Sequence, residues 1–362
     1  MRSARSKAFW AAAVVAMVPL SASAQHYTRT DLTTNSANVS ATAANIDTNL
    51  VNAWGLSRSS GSPWWVSDNG TGLSTLYDGA GSTQSLVVTI PPPAGSNDPA
   101  APSGTVFNYT SSFKVKGQPS VFIFVTEDGT ISGWNPTVNL TQAIVAVNRS
   151  QHAIYKGCAI AQTAFGPFLY ATNFQTGSVE VFDGAFHRLD LHHGAFVDSK
   201  LPANFVPFNI QNVGGNLVVT FAHRERGSKD EDHGAGLGYV DVFDATGRLL
   251  LRLAHGKFLN APWGIAEAPG DFGALSHRLL IGNFGDGSIN AFDPMTGRFE
   301  GKLLDPSGAA LRIPGLWALS FGNGGKAGNV NDLYFSAGPN DENDGLLGKI
   351  SAVESEQRGN TE

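Results

Sequence analysis

The sequence predicts an all-β fold, a six-bladed β-propeller, on three observations. Gly and Pro contribute 42 and 18 of 362 residues, a density of turn formers that long helices do not tolerate. Apolar residues make up 42% and charged ones 15%, which suits a well-filled core and is too weakly charged for a disordered chain. Third, a strand-turn-strand unit recurs about every 55 residues along the whole chain.

Taken in chain order, the first 24 residues read as an export signal. Arg2, Arg5 and Lys7 precede the apolar run Ala8 to Val18, and Ala22-Ser23-Ala24 places small residues where a peptidase needs them. The expected division is a signal over 1–24, a propeller over 25–353 and a polar tail over 354–362, with a secreted or periplasmic product. No later stretch approaches the length of a membrane span. Removing the three cations takes the formal net charge from -6 to -9, which repels phosphate backbones and argues against nucleic acid. A monomer is expected, with a small molecule or an extracellular partner. Cys158, the lone cysteine, lies in the apolar run Gly157 to Ala161 and reads as a buried structural thiol.

Six strand pairs follow, the first being Trp64 to Asp68 with Leu73 to Tyr77 and the last Leu333 to Ala337 with Leu346 to Ile350. The glycines ahead of the second strands, Gly72, Gly129, Gly177, Gly238, Gly287 and Gly345, mark the repeat. An independent marker precedes each pair: Trp54-Gly55-Leu56, Ser103-Gly104-Thr105, Lys156-Gly157-Cys158, Phe208-Asn209-Ile210, Trp263-Gly264-Ile265 and Trp317-Ala318-Leu319. Most units add an apolar fourth strand, such as Leu86 to Ile90 or Leu249 to Leu253. Four-stranded sheets bury their faces when arranged radially as blades. The last unit lacks its fourth strand, and the alternating segment Tyr27 to Leu32 is expected to complete that blade and close the ring.

Antiparallel connectivity puts the loops after the second strands, and those entering the first strands, on one face. The polar residues collected there are Asp68, Glu127, Asn173 and Asn283, read as oxygen ligands of a Ca²⁺ ion, with Asn52, Asn209 and Asn260 nearby. Asn-Phe-Gln-Thr-Gly and Asn-Phe-Gly-Asp-Gly are also good hairpin turns in which the first side chain bonds backbone amides, and that reading stays open. Trp54, Phe208, Trp263 and Trp317 read as wedge fillers near the axis, with ligand stacking as the alternative for the tryptophans. The one long insertion, Arg224 to Leu237, brings His223, Asp232 and His233 to the same face. His223 and Asp232 are the catalytic candidates and His233 a ligand contact. Common hydrolase, zinc protease, kinase and dehydrogenase motifs are absent.

Asn52-Ala53-Trp54-Gly55-Leu56, Trp65 to Gly72, Val88 to Gly95, Thr126 to Pro136, Pro207 to Asn212 and Ile281 to Gly287 resemble an exported bacterial family of conserved hypothetical proteins, some of which end in a PEP-CTERM sorting segment. This chain lacks that tail. The repeat also looks like NHL and gluconolactonase-type six-bladed propellers, a likeness of fold. The expected function is ligand or partner binding on the loop-rich face, around Ca²⁺. The alternatives are a metal-dependent hydrolase or lactonase, with Glu127, Asn173 and Asn283 holding the ion, and a structural extracellular module.

Overall fold

The computed structural model describes residues 25–356. The expected signal over 1–24 lies outside the described residues, as does most of the expected tail.

Six antiparallel sheets surround one axis. The innermost strands are Ala53–Ser57, Pro102–Phe107, Tyr155–Thr163, Phe205–Val213, Pro262–Glu267 and Leu316–Phe321, and they define blades 1 to 6 in that order. In blades 1 to 5 the chain meanders outwards to the fourth strand. Blade 6 is closed by Tyr27–Thr34, which pairs antiparallel with Leu346–Ala352, Tyr27 lying opposite Ala352 and Thr34 opposite Leu346. The ring is thus closed by hydrogen bonds between the two ends of the described chain, as the alternating Tyr27 segment predicts. Two features lack a strong sequence signal. Blade 3 has a short outer strand, Arg188–Leu189, and Asn45–Ile46 adds in parallel to the closing strand. The outer strand of blade 1 is only Val88–Thr89, shorter than the apolar run suggests, because Pro91 to Pro93 cannot donate to a ladder.

Apolar clusters fill the wedges between blades. Trp65 of blade 1 stacks on Phe122 of blade 2 at 4.3 Å between centroids, and Leu280 of blade 5 packs with Leu316, Leu319 and Phe335 of blade 6. Cys158 is buried in such a cluster, and burial pushes its thiol up, away from thiolate chemistry. Two three-residue 3-10 turns are the only helical segments among the described residues, and no helix there is long and apolar enough to cross a membrane.

Each of the six innermost strand pairs breaks register at one corresponding place, next to Trp54, Ser103, Lys156, Phe208, Trp263 and Trp317. A bulge there re-aims one side chain per blade. Glycine follows in several blades because adjacent backbones nearly touch: a Cβ on Gly55 would lie 2.5 Å from the Ser103 carbonyl oxygen.

Candidate functional site

The six bulge positions decide what fills the axis. Four are aromatic, and they collapse on one another. Trp54 stacks on Trp317 at 3.8 Å, Phe284 stacks on Trp317 at 3.9 Å, and Trp263 meets both tryptophans edge-on at 6.2 and 5.8 Å. Phe208 packs against Trp317 at 6.0 Å and against Phe174 at 5.5 Å. Trp54, Trp263 and Trp317 are all buried in this plug. Ser103 turns its hydroxyl to the Tyr155 carbonyl, 2.7 Å away.

The remaining bulge position holds Lys156, whose side chain is 1% exposed. Its ammonium lies over the rings of Trp54, Phe174 and Phe208, 4.9, 5.2 and 6.0 Å from their centroids, an arrangement that attracts a cation to the negative ring faces. Nζ donates to Glu127 Oε1 at 2.6 Å, and Glu231 Oε2 stands 3.9 Å away. Burial pulls the pKa of the amine down. The carboxylates of Glu127 and Glu231 outweigh burial and hold its affinity for the proton above that of an ordinary lysine. In Glu127 burial is likewise overcome, by Lys156 and by the Asn69 amide donating at 2.9 Å, and its pKa is lowered. Lys156 is therefore a fixed positive charge rather than a free amine nucleophile.

Above the plug the rim is acidic. Asn52 accepts a hydrogen bond from Trp317 Nε1 at 3.0 Å on its oxygen and donates from its amide to Glu342 Oε2 at 2.6 Å. Asn52 is in the left-handed region at φ 48°, and Asn340, Asp341 and Glu342 form a run of three left-handed residues at φ 57°, 49° and 65°, a conformation that costs energy in residues with a Cβ. Burial, followed by repulsion from Glu231 and Glu127, raises the Glu342 carboxyl. His233 rests edge-on against Phe284 at 5.0 Å, and contact with Glu231 at 3.6 Å raises its pKa. Beside this rim opens a cleft of about 570 Å³, lined by His233, Phe284, Arg312, Pro314, Asp341 and Glu342 together with glycine backbone. That volume suits a small organic ligand.

The polar candidates from sequence divide into three groups. Glu127, Asn52 and His233 lie at the axial rim. Asp68, Asn173 and Asn283 turn inwards to their own blades. Asp68 Oδ2 accepts from the Thr75 amide and hydroxyl, and burial raises its pKa. The Asn173 oxygen accepts from the amides of Ile154, Gln175 and Thr176. The Asn283 amide donates to the Phe258 carbonyl and Asp286. Asn209 and Asn260 tie blade 4 to blade 5, the first donating to the Trp263 carbonyl and the second accepting from the Gly234 amide. Among the described residues no three His, Cys, Asp or Glu side chains are gathered to hold a metal ion.

His223 and Asp232 form the third group. Nδ1 of His223 lies 2.5 Å from Asp232 Oδ2, and the Asp232 amide donates to the His223 carbonyl. This double link pins the interior of the insertion back onto the end of the second strand. Neither residue lines the cleft. The insertion instead sends Glu231 to the axis, its side chain 5% exposed. Lys156, Glu231 and Glu342 escape a search for surface oxygen ligands. The available signal was a lysine standing where Trp54, Trp263 and Trp317 stand in the repeat.

No protein-family model matches the chain. Over 320 residues it is 31% identical to "Uncharacterized protein R648" of Acanthamoeba polyphaga mimivirus, covering 85% of this chain and 76% of that protein. It is equally similar, at 31% over 323 residues, to "Uncharacterized protein L690" of the same virus, covering 85% and 82%. Among solved structures it is similar in fold to a streptogramin B lyase, with a TM-score of 0.52, 11% identity and coverage of 91% and 98%, and to a glucose dehydrogenase, with a TM-score of 0.52, 13% identity and coverage of 84% and 98%. The two sequence relatives are viral, so the bacterial origin and sorting tails of the resembled family find no support among them. By fold the chain is a six-bladed β-propeller, and by sequence it belongs to the family of the mimivirus proteins R648 and L690.

Proposed function

We propose that the protein binds a small organic molecule in the cleft beside its axis, on the face that carries the long insertion. The observation behind this reading is convergence. His233 of blade 4, Phe284 of blade 5 and Glu342 of blade 6 line one cleft, Asn52 of blade 1 holds Glu342 Oε2, and Glu231, Lys156 and Glu127 stand in a chain of contacts behind His233. A few convergent polar groups on an aromatic wall are what a small-molecule site requires. The likeness to a lyase and a dehydrogenase speaks only for the fold, since one architecture hosts unrelated chemistries. Action outside the cytoplasm is part of the proposal, supported by the charge and apolar pattern of residues 1–24. A Ca²⁺ ion would have to use the rim carboxylates, because Asn173 and Asn283 have committed their side chains to turns.

Ligand-observed NMR with a fragment library tests this. Fragments should bind the wild type, and Pro314→Trp, which fills the cleft from an exposed position, should abolish the binding. An absence of hits, or hits that Pro314→Trp leaves untouched, would overturn it.

A hydrolytic reading is favoured by one pair of groups. His233 and Glu342 line the same cleft, with the pKa of His233 raised by its contact with Glu231 and that of Glu342 raised by burial, and an imidazole and a carboxyl facing one cleft are side chains that general acid–base catalysis uses. Turnover of esters or lactones that is lost in both His233→Ala and Glu342→Gln would establish it.

A further inference from the structure

The charges lining the cleft do not balance, and the imbalance is local. At the outer end Asp286 is matched by Arg312 at 3.5 Å and Lys302 at 3.8 Å. His233 is matched by Glu231. Asp341 and Glu342, adjacent on the left-handed turn, have no cation within ion-pair distance among the described residues. Glu342 Oε2 is fixed by Asn52, which Trp317 fixes in turn, while Oε1 accepts no hydrogen bond from any described residue. Behind them Glu231, with its side chain 5% exposed, is already matched, by His233 at 3.6 Å and Lys156 at 3.9 Å.

Resting on the binding reading above, we infer that the ligand carries a primary ammonium group, seated on Glu342 and Asp341 at the axial end of the cleft. The protein already shows how this rim treats such a group, since Lys156 places an ammonium between carboxylates and aromatic rings a short distance away. A second ammonium would meet the same chemistry, with Glu342 and Asp341 as acceptors and Phe284 as the aromatic wall. It would also relieve the repulsion from Glu231 and Glu127 that raises the Glu342 carboxyl. An ammonium offers three diverging donors, which suits two carboxylates on consecutive residues. A bare metal ion fits less well. No set of three acidic or imidazole ligands is gathered among the described residues, and a space of about 570 Å³ walled by Phe284 and Pro314 calls for an organic body behind the charge.

The test is calorimetric titration of the folded protein with phenethylamine and putrescine, against 2-phenylethanol and CaCl₂, at neutral pH and low salt. The amines should bind, with the alcohol about tenfold weaker or worse, because a charge-assisted hydrogen bond is lost. Glu342→Gln keeps an oxygen for Asn52 and should weaken amine binding about tenfold, with Asp341→Asn costing about threefold. A thermal melt confirms that both variants are folded. Equal affinity for alcohol and amine, or amine binding unchanged in Glu342→Gln, overturns the inference, as does Ca²⁺ binding at these carboxylates without amine binding. If neutral or acidic fragments occupy the cleft and amines do not, the ammonium assignment falls while the binding site stands. If no fragment of any charge binds there, both fall.

Discussion

At one mouth of the axis the inner strands present Trp54, Lys156, Phe208, Trp263 and Trp317, and the loops above add Glu127, Glu231 and Glu342. At the other mouth the same strands present Leu56, Ser57, Thr105, Val106, Phe107, Cys158, Gln211, Asn212 and Ser320 around a hollow of about 310 Å³. Among the described residues the only charged one lining that hollow is Arg58, whose guanidinium donates to the carbonyls of Phe321 and Gly322. The strands are shared, so the difference comes from the bulges and loops. At the first mouth the register shift turns large side chains onto the axis, and the insertion and the left-handed turn deliver carboxylates that a tight hairpin cannot carry. The second mouth is bounded mainly by regular strand ends and has little with which to recognise a charged ligand.

Removing the charge that organises the first mouth should have the largest effect. Lys156→Met leaves Glu127 and Glu231 facing each other in a poorly solvated space, and breaking a buried pair from one side costs about 3 to 5 kcal/mol. Urea denaturation should show that loss, and adding Glu127→Gln and Glu231→Gln should recover a substantial part of it. If Lys156→Met were neutral, the ammonium would not be holding the rim together, and the contrast between the two mouths would be one of composition alone.

A smaller effect follows from protons. Glu342 and His233 have folded pKa values raised above their ordinary values of 4.5 and 6.5, Glu342 by burial and then by its acidic neighbours, His233 by contact with Glu231. The folded state therefore binds these protons more tightly than the unfolded chain does. Their stabilisation is complete below 4.5 and 6.5 respectively and is lost as pH rises through the raised values. Since the His233 side chain is 49% exposed, its share should stay under about 1 kcal/mol. Unfolding free energies measured from pH 4 to 9 should fall less steeply in Glu342→Gln over the lower part of the range and in His233→Ala over the upper part. Variant curves that run parallel to the wild type would show that the rim does not couple to protons.

The fold was legible because propeller blades repeat. Markers such as Gly72 and Gly129 sit at left-handed turn positions, φ 72° and 76°, that few other residues adopt at low cost, and the alternation of Tyr27 to Leu32 beside a polar C-terminus pointed to ring closure. The site was legible only in part. Asn173 and Asn283 carry turn chemistry and ligand chemistry in the same side chain, and no pattern separates the two before the hydrogen bonds are known. Glu231 and Glu342 reach the rim through an irregular loop and a left-handed turn, neither of which leaves a periodic trace. Lys156 could have been found, since it breaks a series of bulky residues at a core position, where an unpaired charge is prohibitively expensive.

The smallest expected effect is the control at the second mouth. The Gln211 side chain is half-buried there and makes no hydrogen bond with a described residue, and Ser320 lies beside the same hollow. Gln211→Ala and Ser320→Ala remove no buried partner and open no packed core, so each should change stability by no more than about 0.5 kcal/mol. Neither should alter fragment or amine binding measured by NMR or calorimetry, because the plug of Trp54, Trp263 and Trp317 fills the axis between the mouths. A change in cleft affinity on substitution of Gln211 would mean that the plug transmits what happens beneath it, and the two mouths would then have to be treated as one coupled site.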